Sequence, residues 1–360
     1  MTRVTPRLTR SVVILSTVLS ALACSGAAGP GPGLDAAIVP DADLLGRMDF
    51  QAVKQSAAYK SLQEQEPEGE AEEGAKAALE LVKKLKEATG LSDDDIVGFL
   101  MSADTDSMDW NAKGEDEAKE IERFAFVLAV ALNKPLSIEK LQAGIEAAVK
   151  EGPQPEFASA TFAGAPGLII KDPKKKKAIH VTTAQDEKTL YFALNTASIE
   201  GAVQRERDNK PTQVSAAMAS VEKALAESSQ ARLLFVVPDV LRGKIKEFLD
   251  KGAEDPMAAM AEGFIKPFQN IQSVAIGAYY AEGVDINLAA DLGDEQAAVQ
   301  AATVLQTMVL PMLKGGMAKA LEKTPAEVAD KIVVSSEGQA LRITVKATVE
   351  DLTKAASQGS

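Results

Sequence analysis

The sequence is poor in the side chains that most catalytic and metal sites use. Among 360 residues there is one cysteine, Cys24, and one histidine, His180, and aromatic residues make up only 4%. This shortage removes most routes to a His/Cys metal site, a Cys-His pair or a Ser-His-Asp triad. We therefore expect no metal and no cofactor. Few aromatic side chains are present on which bases or sugars could stack.

Positive charge is also scarce relative to negative charge. The formal net charge is −13, and it becomes −16 if residues 1–23, with three arginines and no acid, are removed. A surface of this sign repels phosphate backbones, so nucleic acid is not expected as a partner.

No run of apolar residues reaches the ~20 that a membrane-spanning helix needs. Residues 11–23 form an apolar run of thirteen, and they follow a basic segment that holds Arg3, Arg7 and Arg10. A basic start followed by a short apolar run is typical of an export signal. The sequence therefore predicts a signal peptide at residues 1–23.

Residues 21–24 read Ala-Leu-Ala-Cys, which resembles the lipobox of bacterial lipoproteins. Ala23 fits the position before the modified cysteine, whereas Ala21 and Leu22 stand in the reverse of the usual order. The resemblance covers about residues 1–25 and implies that Cys24 receives a lipid and anchors the protein in the membrane of the cell envelope. Because Ser25 rather than Asp follows, it also implies sorting to the outer membrane where the organism has one.

Cleavage by the ordinary signal peptidase stays an alternative, because Ala21-Leu22-Ala23 also has the small-x-small form. That cleavage would release a protein with an exposed thiol in an oxidising compartment. Residues 24–37 are rich in Gly and Pro, and we expect them to form a flexible tether.

Strand and helix patterns occur in the same order twice, which predicts an internal duplication. The fold class expected is α+β, as two tandem units that each have an antiparallel or mixed sheet with helices packed on one face. The predicted boundaries are residues 38–205 for the first unit, 206–229 for a connecting helix, 230–356 for the second unit and 357–360 for a tail. Only the first unit has an acidic insert at 64–74 and an extra hairpin at 157–170.

Three pairs of segments carry the duplication hypothesis. Each pair has a matching order of elements, and the helices are predicted to begin at a polar residue such as Asp49, Ser137, Asp294, Ser198 or Thr348. The pairs are 44–55 with 233–244, 123–150 with 284–309, and 178–198 with 332–348.

The acidic clusters have structural interpretations that compete with functional ones. Ser92 with Asp95 three residues later predicts a capping box rather than an acid/base or metal site. Asp104, Asp106 and Asp109 are spaced somewhat like a calcium loop, but Asp109 stands where the sharp turn needs Gly. We therefore predict no catalytic, cofactor-binding or metal-binding residue, and Cys24 as the one functional residue.

Three other features have a structural and a functional interpretation. Lys174–Lys177 is either a solvated loop or a contact for anionic headgroups. His180 alternates with Ile179 and Val181 and is expected on the wetter face of a strand. A set of methionines either packs in the core or lines an adaptable apolar groove; its members are Met257, Met260, Met308, Met312 and Met317. A separate apolar stripe at helical spacing predicts a helix that covers the sheet; its residues are Ala298, Ala301, Leu305, Met308 and Met312.

The sequence therefore favours an exported, lipid-anchored envelope protein with a non-catalytic binding or structural role. Its partners would be the membrane, through the lipid anchor, and an envelope protein or an apolar ligand. The second hypothesis is a carrier of lipid or another apolar ligand between sheet and helices. The third is a hydrolase that uses only carboxylates, since paired acids need neither His nor Cys.

Overall fold

The computed structural model describes residues 34–63, 83–105, 123–149, 155–171, 178–225, 228–252, 265–312, 330–348 and 350–351. Within these residues, it is an α+β protein built on one antiparallel sheet of twelve strands. The strands are β1 Leu44–Asp49, β2 Ile96–Ala103, β3 Phe126–Leu132, β4 Glu156–Phe162, β5 Ala165–Lys171, β6 Ala178–Thr183, β7 Thr189–Ala193, β8 Ala231–Val236, β9 Ser273–Tyr280, β10 Gly283–Asp291, β11 Ile332–Glu337 and β12 Ala340–Thr348.

Helices lie between the strands, and most of them pack on the sheet, whereas α6 is largely exposed. They are α1 Phe50–Gln55, α2 Ala57–Gln63, α3 Ile138–Ala148, α4 Thr196–Asp208, α5 Ala216–Ala224, α6 Asp239–Gly252 and α7 Glu295–Val304, and residues 83–89 are also helical. In the described part of the chain, no helix is long and apolar enough to cross a membrane.

The predicted division into two sheets is wrong, because the strands form one sheet in the order β11-β12-β10-β9-β8-β1-β2-β3-β7-β6-β5-β4. The join is the central seam, where β1 pairs antiparallel with β8 and Leu45 faces Leu234. In two separate sheets, β1 and β8 would both be edge strands with unpaired main-chain groups. Pairing them satisfies both edges at once.

The strand order is the same on both sides of the central seam for five positions. Outward on one side it is β1, β2, β3, β7 and β6, and on the other it is β8, β9, β10, β12 and β11. The first side continues with the β4–β5 hairpin, which was predicted as the extra hairpin of that half. This order accords with the duplication, which stays a prediction.

Helices cover both faces of the sheet, not one face as predicted. On the front face, α4 and α5 pack on a core that contains Tyr191, Met218 and Leu234. On the back face, α1 and α3 pack on a core with Phe50 and Leu128, and α7 packs on β10, β11 and β12. The reason is visible in β3, whose seven residues are all buried, so that both of its faces need cover.

Most of the predicted helix starts are confirmed, because the cap side chains accept the expected main-chain hydrogen bonds. Asp49 accepts from Ala52, Ser137 from Lys140 and Asp294 from Ala297. Thr348 and Asp351 cap each other's main-chain N–H groups. The helix expected to begin at Ser198 begins at Thr196 instead, because Asn195 is the cap.

The last residues of the predicted tether belong to the fold. Leu34–Ala37 form a short 3-10 helix, and Leu34 and Ala37 are buried in the front core. The Ala36 carbonyl accepts a hydrogen bond of 2.8 Å from Arg205 Nε, and Asp35 Oδ1 lies 3.1 Å from Arg47. The folded region therefore includes residues 34–37.

The predicted apolar stripe, which runs from α7 into the turns that follow it, is buried only at its start, and the side chain of Met312 lies outside the described residues. Ala298 and Ala301 are buried, but Met308 is 43% exposed. From Leu305 to Val309 the helix adopts π-helical turns, so the spacing of 3.6 residues per turn no longer holds. This change of pitch moves Met308 away from the core.

We predict that Leu234→Ala at the central seam lowers the free energy of unfolding by about 2–5 kcal/mol, since Leu234 is buried and its removal leaves a cavity. Leu233→Ala is the matched control: it is the next residue in β8 and points to the other face, where it is partly exposed. It should cost at most about 1 kcal/mol. Urea unfolding followed by circular dichroism measures both, and equal losses would contradict the seam assignment.

Candidate functional site: an apolar sheet face

The back face of the sheet is continuously apolar across five neighbouring strands, β1, β8, β9, β10 and β12. The residues stand directly opposite one another on neighbouring strands in three cross-strand rows. We call this set the apolar face: Leu44, Phe235, Val274, Ala290 and Leu341; Gly46, Leu233, Ile276, Leu288 and Ile343; Met48, Ala231, Ala278, Ile286 and Val345.

Among the residues that the structure describes, helices cover the margins of the apolar face and leave its middle partly exposed. Ala290 and Leu341 are buried under α7. Leu233, Ile276 and Ile286 are 38%, 41% and 39% exposed. Large aliphatic side chains with this much exposure, side by side on one sheet, make the middle of the apolar face a candidate binding surface.

The first half of the sheet covers its back face much more completely. Phe126, Leu128 and Val130 of β3 are buried there against α3 and its neighbours. In the second half, α2 reaches the turn between β9 and β10, where the Ala58 N–H donates to the Ala281 carbonyl. The open area lies between this turn and α7.

Exposed apolar side chains continue on α6, which follows β8. Val240 and Leu241 in its first turn are exposed. Arg242 holds this turn in place by contacts with Asp239 and with Gln272 Oε1, the latter at 2.8 Å. The beginning of α6 therefore adds two aliphatic side chains beside the end of β8.

On the front face, the same outer strands bear polar residues. Thr344 Oγ1 donates to Asn287 Oδ1 at 3.0 Å, and Lys346 lies 4.0 Å from Asp285. On β10 and β12, polar side chains thus occupy the front face opposite the apolar face, as alternation along these strands requires.

Covering the open part of the apolar face would release water from aliphatic surface. Complete burial of a Leu or Ile side chain is worth about 1.5–3 kcal/mol, so covering the exposed shares of three such residues is worth about 2–3 kcal/mol in all. This is a useful contribution to binding.

Several features predicted from the sequence lie outside the described residues. They are the signal peptide at 1–23, Cys24, the acidic insert at 64–74, Lys174–Lys177, the methionines Met257, Met260 and Met317, and the tail at 357–360. Of the spaced acids, Asp104 is described and Asp106 and Asp109 are not. Within the described ranges, no group of three or more His, Cys, Asp or Glu side chains is placed to hold a metal ion.

The capping interpretation of Ser92 and Asp95 is confirmed. The Ser92 N–H and Oγ donate to Asp95 Oδ2 at 2.7 and 2.6 Å, and Lys134 Nζ lies 2.6 Å from the same oxygen. The neighbouring acids pair with lysines, Asp93 with Lys86 and Asp94 with Lys54. This acidic cluster therefore stabilises a helical turn.

The prediction that His180 lies on a wetter face is wrong. His180 is buried on the front face, where its ring meets Phe162 edge-on at 5.7 Å between centroids. Its Nδ1 lies 3.5 Å from Thr196 Oγ1, and burial lowers its pKa. The β4–β5 hairpin and α4 cover this strand, and neither contact could be read from alternation along the strand.

A buried polar cluster under the end of α4 was not predicted. Tyr191 is fully buried and hydrogen-bonds to Glu206, which also accepts the Gln185 N–H at 3.3 Å. Burial raises the pKa of Tyr191 and of Glu206 and lowers that of Arg205. In the sequence, Arg205 and Glu206 look like the solvated end of a helix. No apolar residues at helical spacing indicate that another part of the protein covers them.

No protein-family model matches the sequence, and no curated protein shows significant sequence similarity to it. Two crystal forms of TP0453 are among the solved structures that resemble the chain. Form I has a TM-score of 0.41 and 11% identity, covering 92% of this chain and 98% of that one. Form III has a TM-score of 0.44 and 10% identity, covering 92% and 100%. At these identities the likeness concerns the backbone arrangement alone.

We predict that Glu206→Gln flattens the pH dependence of stability above pH 4.5. Because burial raises the pKa of Glu206 above its ordinary 4.5, the fold favours the protonated form and loses stability as the pH rises through the folded-state pKa. Gln cannot ionise, so this loss should disappear. Asp208→Asn, an exposed acid on the same helix, is the control. Thermal unfolding from pH 4.5 to 8 checks both, and an unchanged slope in Glu206→Gln would contradict the prediction.

Proposed function

We propose that this chain is a non-catalytic binding protein of the cell envelope, and that the apolar face is its binding surface. The observation that carries the proposal is the exposure of Leu233, Ile276 and Ile286 together in the middle of one sheet face. The polar clusters around Asp95, His180 and Glu206 act as caps, ion pairs or buried hydrogen bonds. Because these roles are structural, they also favour binding over catalysis.

The chemistry of the apolar face favours a lipid acyl chain as the ligand. All fifteen of its positions are Leu, Ile, Val, Met, Phe, Ala or Gly, so the side chains offer no hydrogen bond or charge to orient a polar ligand. An acyl chain needs only an apolar surface of sufficient length. This chemistry favours the hypothesis of a carrier of lipid or another apolar ligand over a purely structural role.

Export and anchoring complete the proposal. The basic segment, the apolar run and Ala23-Cys24 support a signal peptide with lipid on Cys24. The first described element begins at Leu34, so about ten residues would separate the lipid from it. A binding protein on such a tether would stay close to the membrane that supplies its ligand.

A tandem duplication is part of the proposal. It is supported by the matching strand order on the two sides of the central seam and by the matching order of strands and helices in the sequence. On this view, the second half kept its back face open while helices covered that of the first half.

We predict that the double substitution Leu233→Thr and Ile276→Thr weakens binding of cis-parinaric acid about tenfold, or ~1.4 kcal/mol, because it removes exposed aliphatic surface. Fluorescence titration of the full chain measures this. Val333→Thr is the matched control, since Val333 is 59% exposed in the same half but on the front face. No binding by the unsubstituted chain, or equal weakening by the control, would contradict the acyl-chain proposal.

We also predict that the wild-type chain incorporates labelled palmitate and fractionates with membranes. Cys24→Ser removes the sulfur that would carry the diacylglycerol, so incorporation should fall to background and the protein should leave the membrane fraction. Ser25→Ala is a control that keeps the cysteine. Wild-type protein without label would refute lipid anchoring while leaving the binding proposal testable.

A further inference from the structure

The outer side of β11 occupies an asymmetric position in the sheet. β11 is the fifth strand from the central seam, as β6 is on the other side. The outer side of β6 pairs antiparallel with β5, from Lys171 opposite Ala178 to Gly167 opposite Thr182. Among the residues that the structure describes, no strand pairs with the outer side of β11.

The hairpin between β11 and β12 determines which main-chain groups point outward. Glu337 and Ala340 flank a two-residue turn and form its closing pair. In such a hairpin the two residues of the closing pair hydrogen-bond to each other through their main chains. Every second residue along β11 from that pair then hydrogen-bonds to β12, and the residues between have main-chain groups that point away from β12. Glu337, Ser335 and Val333 therefore bond to β12, and the main-chain groups of Ser336, Val334 and Ile332 point away from the sheet.

One of these outward carbonyls already bonds to a side chain. Gln306 Nε2 of the turn after α7 donates to the Val334 carbonyl at 2.7 Å. This is the hydrogen bond that an added strand would otherwise make. Gln306 is itself exposed, so its amide could leave without opening the core.

Apolar side chains flank this edge on both faces. Val333 is 59% exposed on the front face. On the back face, α7 packs on β11, and Val299 of this helix is 48% exposed. A strand or hairpin added at β11 would cover both.

The charges at the ends of β11 are self-complementary. If two β11 strands pair antiparallel about Val334, Lys331 of each copy stands opposite Glu337 of the other. Glu337 is exposed and pairs with Arg342 at 2.8 Å, and Lys331 pairs with Asp351, so the pairing would join two existing ion pairs at each end. Opposite charges across a strand pair favour this register.

We propose that β11 is a strand-addition site whose partner is β11 of a second copy of this chain. The twofold axis passes through Val334, and the two sheets join into one. Gln306 limits the association, because it must leave the Val334 carbonyl before the second strand can bond there.

The test places the photoreactive residue p-benzoylphenylalanine at Val333 of the full chain in intact cells. The expected result is a covalent dimer whose cross-link maps to residues 331–337 of the second copy. The same residue at Val240, also exposed but on α6, is the control and should give no such dimer. A monomer alone, or a cross-link from Val333 to a different protein, would overturn the proposal.

Second-site substitutions test the register. Ser336→Pro removes a main-chain N–H that points away from the sheet in each copy, and it breaks no hydrogen bond to β12. The dimer yield should therefore fall about tenfold.

Glu337→Lys places like charges opposite each other across the proposed strand pair and should also lower the yield while leaving the backbone unchanged. Gln306→Ala should raise it. Ile276→Thr, on the apolar face, should not change it, so failure here and failure of acyl-chain binding are distinguishable. Yields unaffected by Ser336→Pro and Glu337→Lys would overturn the pairing.

Discussion

The pairing of β1 with β8 at the central seam is the interaction on which the rest of the structure depends. It buries Leu45 and Leu234 on the front face. It also places Arg47 directly opposite Arg232, a pair of like charges that should repel. Asp35 lies 3.1 Å from Arg47 and Glu222 lies 3.2 Å from Arg232, so each arginine has an acid from a covering helix. The 3-10 helix at Leu34–Ala37 and α5 therefore supply the acids that offset the repulsion at the seam.

Joining the halves also explains where the cover is incomplete. Because the two halves share one sheet, helices from one half reach strands of the other, as α2 does at the turn between β9 and β10. Helix α7 covers the outer strands of the second half. Neither α2 nor α7 buries Leu233 or Ile276, so the exposed part of the apolar face lies between these two helices. The proposed site is thus a consequence of the geometry of the sheet rather than of a dedicated loop.

Local features could be predicted from the sequence, and long-range ones could not. Asp49, Asp294 and the Ser92–Asp95 box were predictable because a cap acts within three residues. The seam was not, because β1 and β8 are far apart in sequence and alternation along a strand does not name its neighbour. The apolar face could have been found in part: β9 and β10 place aliphatic residues at alternate positions, but whether a helix covers them is decided by packing. Burial of His180 and Glu206 depended on packing in the same way.

The acidity of the chain limits how either proposed contact can form. A net charge of −13 repels both anionic lipid headgroups and a second copy of the chain at long range. At physiological salt this repulsion is screened beyond about 8 Å. Binding must therefore depend on short-range forces, and both candidate surfaces can supply them. The apolar face has no charged residue among its fifteen positions. Strand β11 offers main-chain hydrogen bonds, and the opposite charges of Lys331 and Glu337 balance at its ends. The charge of the rest of the surface opposes less specific association, and this favours binding at these two places over the remainder of the molecule.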